Sequence, residues 1–173
     1  MLKITHLKTK YIPLEKMKSG RWKVNFGFEP YYDVDEQGNK IETELGTWTE
    51  GILPFKPSIE QLKSYILSAI NKDVDQKILS GFVWKDMEVW LSTENQFNFK
   101  AAYDLAVMSQ GKTLPVTFKF GSTSQPTYYA FSSLEDISDF YISAMAHINR
   151  CLEEGWRKKD LIDWSVYETS LQE

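Results

Sequence analysis

Phe82-Val83-Trp84-Lys85-Asp86-Met87-Glu88-Val89-Trp90-Leu91-Ser92-Thr93-Glu94-Asn95-Gln96-Phe97 sets the architecture of this chain. Phe82–Trp84 and Met87–Leu91 are short runs rich in aromatic and β-branched side chains, and Lys85-Asp86 between them has the length of a tight hairpin turn. Strands joined so closely run antiparallel. Thr93 and Gln96 then stand three apart, the spacing of a capping box, in which each side chain satisfies a backbone N–H that the first helical turn leaves unpaired. The helix runs through Phe97, Ala101, Tyr103, Leu105 and Val107 toward Gly111.

The same order of elements follows downstream. Leu114–Phe120 reads as a strand with Val116, Phe118 and Phe120 on one face, Gly121–Pro126 as a turn, and Thr127–Phe131 as the partner strand. Ser133, with Glu135 and Asp136 in the first turn, caps a long helix whose stripe is Ile137, Phe140, Tyr141, Ala144, Ile148, Cys151 and Leu152. Gly155 reads as its end and Lys158–Trp164 as a short final helix. The two hairpin-plus-helix units share no sequence similarity and are not a repeat.

Upstream, Pro57-Ser58 with Gln61 is another capping box, and Leu62, Ile66, Ile70, Val74 and Ile78 form an apolar stripe that runs to Gly81. Before it, Trp22, Val24, Phe26 and Phe28 alternate with Lys23, Asn25 and Gly27, the period of a half-buried strand. The turn cluster Asp35–Lys40 separates Tyr31-Tyr32 from the alternating Ile41, Thr43, Leu45 and Thr47, which predicts a second kind of hairpin. The expected fold is α+β: an N-terminal antiparallel β-rich region over residues 1–57, then an α+β domain over 58–173 containing a capped helix and two β-hairpin-plus-helix units.

A chain of 173 residues with 42% apolar and 25% charged residues has the composition of a folded protein. Its 6 Trp, 9 Tyr and 10 Phe argue against disorder and for a dense core with some aromatic surface. The net charge of −4 disfavours non-specific nucleic-acid binding, which rests on basic charge. Charge is nevertheless polarised. Residues 1–24 carry seven basic side chains against Glu15, and residues 29–50 carry seven acidic ones against Lys40. Neighbouring strands that attract each other account for this, and a surface that docks a partner is the alternative. A lone cysteine, Cys151, excludes an intrachain disulfide framework. No stretch has the roughly 20 apolar residues of a membrane span, and the start of the chain lacks a signal-peptide run.

Chemistry has few candidates. His147 and Cys151 lie four apart on one helix face, the spacing of a base beside a nucleophile, or of two residues in an apolar seam; His6 is in an unrelated strand. Asp33, Asp35, Gln37, Asn39 and Glu44 with Gly38 approach a calcium-loop pattern, but Gln37 departs from it and the flanks read as strands, so an acidic hairpin tip is the expectation. No phosphate loop, His-Glu metal motif or nucleophile elbow occurs, and no cofactor is expected.

Ile78–Trp84, Val89–Asn98, Leu114–Gly121 and Glu154–Asp160 together resemble a phage and prophage domain family of unknown function found in tail-associated proteins, with greatest similarity to Bacteroides phage versions, over about residues 57–165. The resemblance implies a non-enzymatic tail or baseplate structural or adaptor protein, made in a bacterial host cytoplasm and incorporated in the virion. Its partners would be other tail or tail-fibre proteins, or a second copy of itself. A tail-fibre assembly chaperone and an unrecognised hydrolase are the rival expectations. Trp22, Trp48, Trp156 and Trp164 fall outside the clearest stripes and are the interface candidates.

Overall fold

The computed structural model describes residues 1–122 and 124–172. The fold is α+β, as the sequence predicts. The chain forms two compact units, Met1–Ile70 with Arg157–Glu173, and Asn71–Trp156. A division at residue 57 would follow the change from strands to helices. Packing follows instead which half of a helix covers which sheet, so two long helices each contribute to both units.

In the first unit β1 (Leu2–Leu7), β2 (Leu14–Lys16), β3 (Trp22–Val34) and β4 (Lys40–Leu53) form an antiparallel sheet in the order β1-β4-β3-β2. Trp22, Val24 and Phe26 face one side, where Leu62, Ile66 and Ile70 of α1 (Ile59–Ser80) cover them. Each such buried apolar side chain is worth about 1.5–3 kcal/mol relative to solvent. Helix α1 starts at the expected box: Ser58 N–H donates to Gln61 Oε1 at 2.8 Å, and Gln61 N–H donates to Ser58 Oγ at 3.3 Å. Gly51 of β4 leaves room for Tyr65 of α1, and on the opposite face Gly46 leaves room for the Phe28 ring; a Cβ at either would collide. Phe28, Tyr11 and Trp48 pack on that second face, with centroids 5.0–6.3 Å apart.

Asn25 fastens this unit. Its side-chain amide donates to Ile12 O at 2.7 Å and its N–H to Pro13 O at 2.8 Å. Its carbonyl accepts from Tyr11 and, at 2.7 Å, from buried Tyr167 of α4 (Ser165–Gln172). The polarised charge is used here too: Lys3–Glu29 at 3.9 Å, Lys23–Glu50 at 4.0 Å, and the close Lys8–Glu42 pair join the basic segment to the acidic one. Neighbouring strands attracting each other is therefore realised.

The second unit holds two hairpins and two helices. β5 (Phe82–Trp84) and β6 (Met87–Val89) meet at Lys85-Asp86, both with positive φ, as a two-residue turn requires. α2 (Thr93–Met108) follows, then β7 (Val116–Gly121) and β8 (Pro126–Phe131), then α3 (Leu134–Asp160). Phe82, Trp84, Phe99, Phe120, Phe131 and Phe140 are buried together. Trp84 packs among them, with the ring centroids of Tyr129, Phe131 and Phe140 at 5.0–5.4 Å.

Three expectations are corrected. The cap of α2 is Ser92, whose side chain accepts from Asn95 N–H, because Thr93 has already entered the helix. Helix α3 does not stop at Gly155 but runs on to Asp160. Gly155 serves packing: a Cβ there would lie 2.5 Å from Val74 Cγ2, so only glycine lets α1 approach. The final helix is Ser165–Gln172, not Lys158–Trp164; Asp163 Oδ1 accepts from Ser165 N–H and Oγ and opens it.

Candidate functional site

The paired His147 and Cys151 come together as their spacing predicts, with Sγ 3.6 Å from Nε2, but their chemistry is spent on structure. A carbonyl only accepts, so Nε2, 3.1 Å from Lys77 O, carries the imidazole proton. A guanidinium only donates, so Nδ1, 3.2 Å from Arg150, is the acceptor. The nitrogen nearest the sulfur is thus a donor and cannot take the thiol proton. Burial pushes the Cys151 thiol up, and the Glu154 carboxylate adds to this, which keeps it protonated. His6 is exposed on β1, its Nδ1 accepting from Leu7 N–H at 2.7 Å.

The calcium-like segment is a hairpin tip. Asp35 accepts from Gln37 N–H, Asn39 N–H and the Asn39 amide at 2.7–3.1 Å. The Asn39 bonds, backbone first, hold its carboxyl below the usual range. Asp33 accepts from Val34 N–H, and Glu44 lies on β4. Among the described residues no group of three His, Cys, Asp or Glu side chains is placed to hold a metal ion.

A shallow open depression of about 540 Å³ is lined by Lys85, Tyr129, Ser132, Ser133, Glu135, Asp136 and Asp139. Lys85 Nζ reaches Asp136 at 2.6 Å and Tyr129 Oη at 3.0 Å, lying 4.3 Å from the Trp84 ring centre. The hydrogen bond to Asp136, then that to Tyr129, holds Lys85 above the usual lysine range. Tyr129 Oη donates to Asp136, and Trp84 Nε1 to Asp139, both at 2.9 Å. The groups satisfy one another and clasp the β5–β6 turn to the start of α3.

Of the tryptophans nominated from sequence, Trp22 and Trp48 are buried, the latter 2% exposed, and lie within the core of their unit rather than on its surface. Trp164 is half-buried beneath Lys63, whose Nζ stands 5.7 Å from the ring centre. Trp156 is 56% exposed. Their faces are set by packing partners that spacing within one strand does not specify.

One exposed apolar surface of the first unit was absent from that nomination. β1 pairs with β4 only over Leu45–Glu50, and β2 with β3 only over Trp22–Val24. Residues 31–44 therefore continue past both as a two-stranded arm, Tyr32 opposite Glu42 and Val34 opposite Lys40. Tyr31, Tyr32, Val34 and Ile41 are exposed on it. The signal was present in strand length: a six-residue β1 cannot flank a fourteen-residue β4.

Residues 61–171 match the family described as a domain of unknown function, DUF4376, and the chain belongs to it. No curated protein and no solved structure matches. No helix among the described residues is long and apolar enough to cross a membrane.

Proposed function

We propose that this member of the family is a non-enzymatic adaptor of a phage or prophage tail or baseplate, docking onto neighbouring tail proteins through the tip of the β3–β4 arm. The arm carries the reading. An isolated two-stranded ribbon is marginal in water, and unpaired strand edges accept an added strand. Backbone hydrogen bonds then give affinity and alternating side chains give specificity. Tyr31 and Tyr32 are of the residue type that anchors interfaces. Asp33, Asp35, Glu36, Glu42 and Glu44 against Lys40 ask for a basic surface with apolar seats on the partner. In this reading the chain is made in a bacterial host cytoplasm and carried into the virion.

The test is mass spectrometry of purified particles, with the parent chain and with one whose residues 31–44 are replaced by a short turn. The parent is expected in the particle beside tail proteins, and the shortened chain, folded by circular dichroism, is expected to be missing. Parent chain bound to tail-fibre proteins before assembly but absent from the particle would replace the adaptor with an assembly chaperone. Absence from both, or equal incorporation of the shortened chain, would overturn the proposal.

A further inference from the structure

Helix α2 is apolar on two opposite faces. Phe99, Ala102, Tyr103 and Ala106 pack into the core of their unit. Phe97, Ala101, Leu105 and Met108, spaced by four, four and three, make a second stripe on the other side. Phe97 is 72% exposed, Leu105 56% and Met108 81%. An amphipathic helix would turn polar groups outward there. Lys100 and Asp104, paired at 2.7 Å, flank the stripe along one edge.

This stripe reads nearly the same from either end. Phe97 with Met108, Ala101 with Leu105, and Lys100 with Asp104 are pairs centred at 102.5, 103 and 102, within one residue of each other. A two-fold axis at that point, perpendicular to the helix, brings a second α2 antiparallel to the first. Phe97 then faces Met108 and Ala101 faces Leu105, large against flexible and small against large. Lys100 faces Asp104 on the same edge, and every contact occurs twice. The small Ala101 lets the axes approach to about 8–10 Å. Within one chain Lys precedes Asp, the weaker orientation for a pair four apart, so little is lost when the ion pairs exchange between copies.

We propose that two copies of this chain associate through antiparallel α2 helices, with the Phe97–Met108 stripe as the contact and crossed Lys100–Asp104 pairs at its edge. A helix of about 24 Å offers less than the ~800 Å² per partner of a tight complex, so the dimer is concentration-dependent.

Sedimentation equilibrium of the full chain over a concentration series tests this. The mass is expected to rise from 20.2 kDa toward twice that value. Phe97→Glu and Met108→Glu, both on exposed positions, keep the circular dichroism spectrum and remain monomeric. Lys100→Glu and Asp104→Lys each weaken self-association by about tenfold, the loss of two edge pairs. Mixed in equal amounts, those two charge variants pair with each other, and the double variant recovers the parent behaviour. A chain replaced at residues 31–44 dimerises like the parent, which separates this interface from the arm. A parent that stays monomeric, a dimer indifferent to Phe97→Glu and Met108→Glu, or charge variants that fail to complement would each overturn the proposal.

Discussion

Two hairpins of this chain are built from similar residues and end in opposite surroundings. β7–β8 carries Val116, Phe118, Phe120, Tyr129 and Phe131 on the face that meets α3, with Phe131 and Phe140 centroids 5.2 Å apart and Phe131 wholly buried. The tip of β3–β4 carries Tyr31, Tyr32, Val34 and Ile41, all exposed. Apolar content does not distinguish the two. The difference is that Ser133 starts a helix two residues after β8 and folds it back over the strands, whereas the helix after β4 covers only the lower part of β3, at Trp22–Phe26. A strand pair becomes core or arm according to what the chain brings to it.

The sharpest way to break that contrast is to truncate one residue on each side. Phe131→Ala is expected to cost about 3–5 kcal/mol in urea denaturation, as large-to-small changes at filled aromatic positions do. A cost under 1 kcal/mol would mean that β7–β8 is no more covered than the arm. The boundary between sheet and arm lies at Gly46, where a Cβ would displace the Phe28 ring from Tyr11 and Trp48. Gly46→Ala should cost about 1–2 kcal/mol, the lower end of overpacking because Phe28 is partly exposed and can yield. Thermal melts of Gly46→Ala with and without Phe28→Ala separate the clash from any backbone effect.

Tyr167→Phe probes the anchored end of the same sheet. Loss of the hydrogen bond to Asn25 O should cost about 1 kcal/mol at neutral pH. Burial raises the Tyr167 phenol pKa, and the neighbouring Tyr11 raises it further. The unfolded chain therefore releases this proton first, so stability holds below about pH 10 and falls as pH rises beyond it. Chemical denaturation from pH 8 upward should show a shallower fall in the Phe variant. Last and smallest, Tyr32→Ser on the arm should change stability by no more than about 0.5 kcal/mol. A loss comparable to that of Phe131→Ala would show that the arm is packed after all.

Local signals were legible from the residues. The Ser58–Gln61 box, the Lys85-Asp86 turn and the stripes of α1 and α3 all act within one or two turns of chain, and each formed as read. What failed depended on distant partners. Gly155 carries the same signature whether it ends a helix or admits a neighbour, and only Val74, far back in sequence, decides between them. Trp22 and Trp48 look like Trp156 until the helix and loop that cover them are known. The cap of α2 slipped by one residue because Ser92 and Thr93 are both competent caps, and Asn95 supplied the N–H that selected Ser92.

The fastening of Tyr167 to Asn25 also bears on the order in which the protein is completed. Both residues belong to the unit whose pieces are Met1–Ile70 and Arg157–Glu173, with the other unit lying between them in the chain. On a ribosome the four strands emerge early, yet the hydroxyl that reaches the Asn25 carbonyl is made only after the whole inserted unit. The inserted unit, with its own aromatic core, is complete in the chain before the first unit is. The usual progression of domains from the N-terminus is thereby inverted, and a chain released before α4 would hold a finished middle and an unfinished beginning.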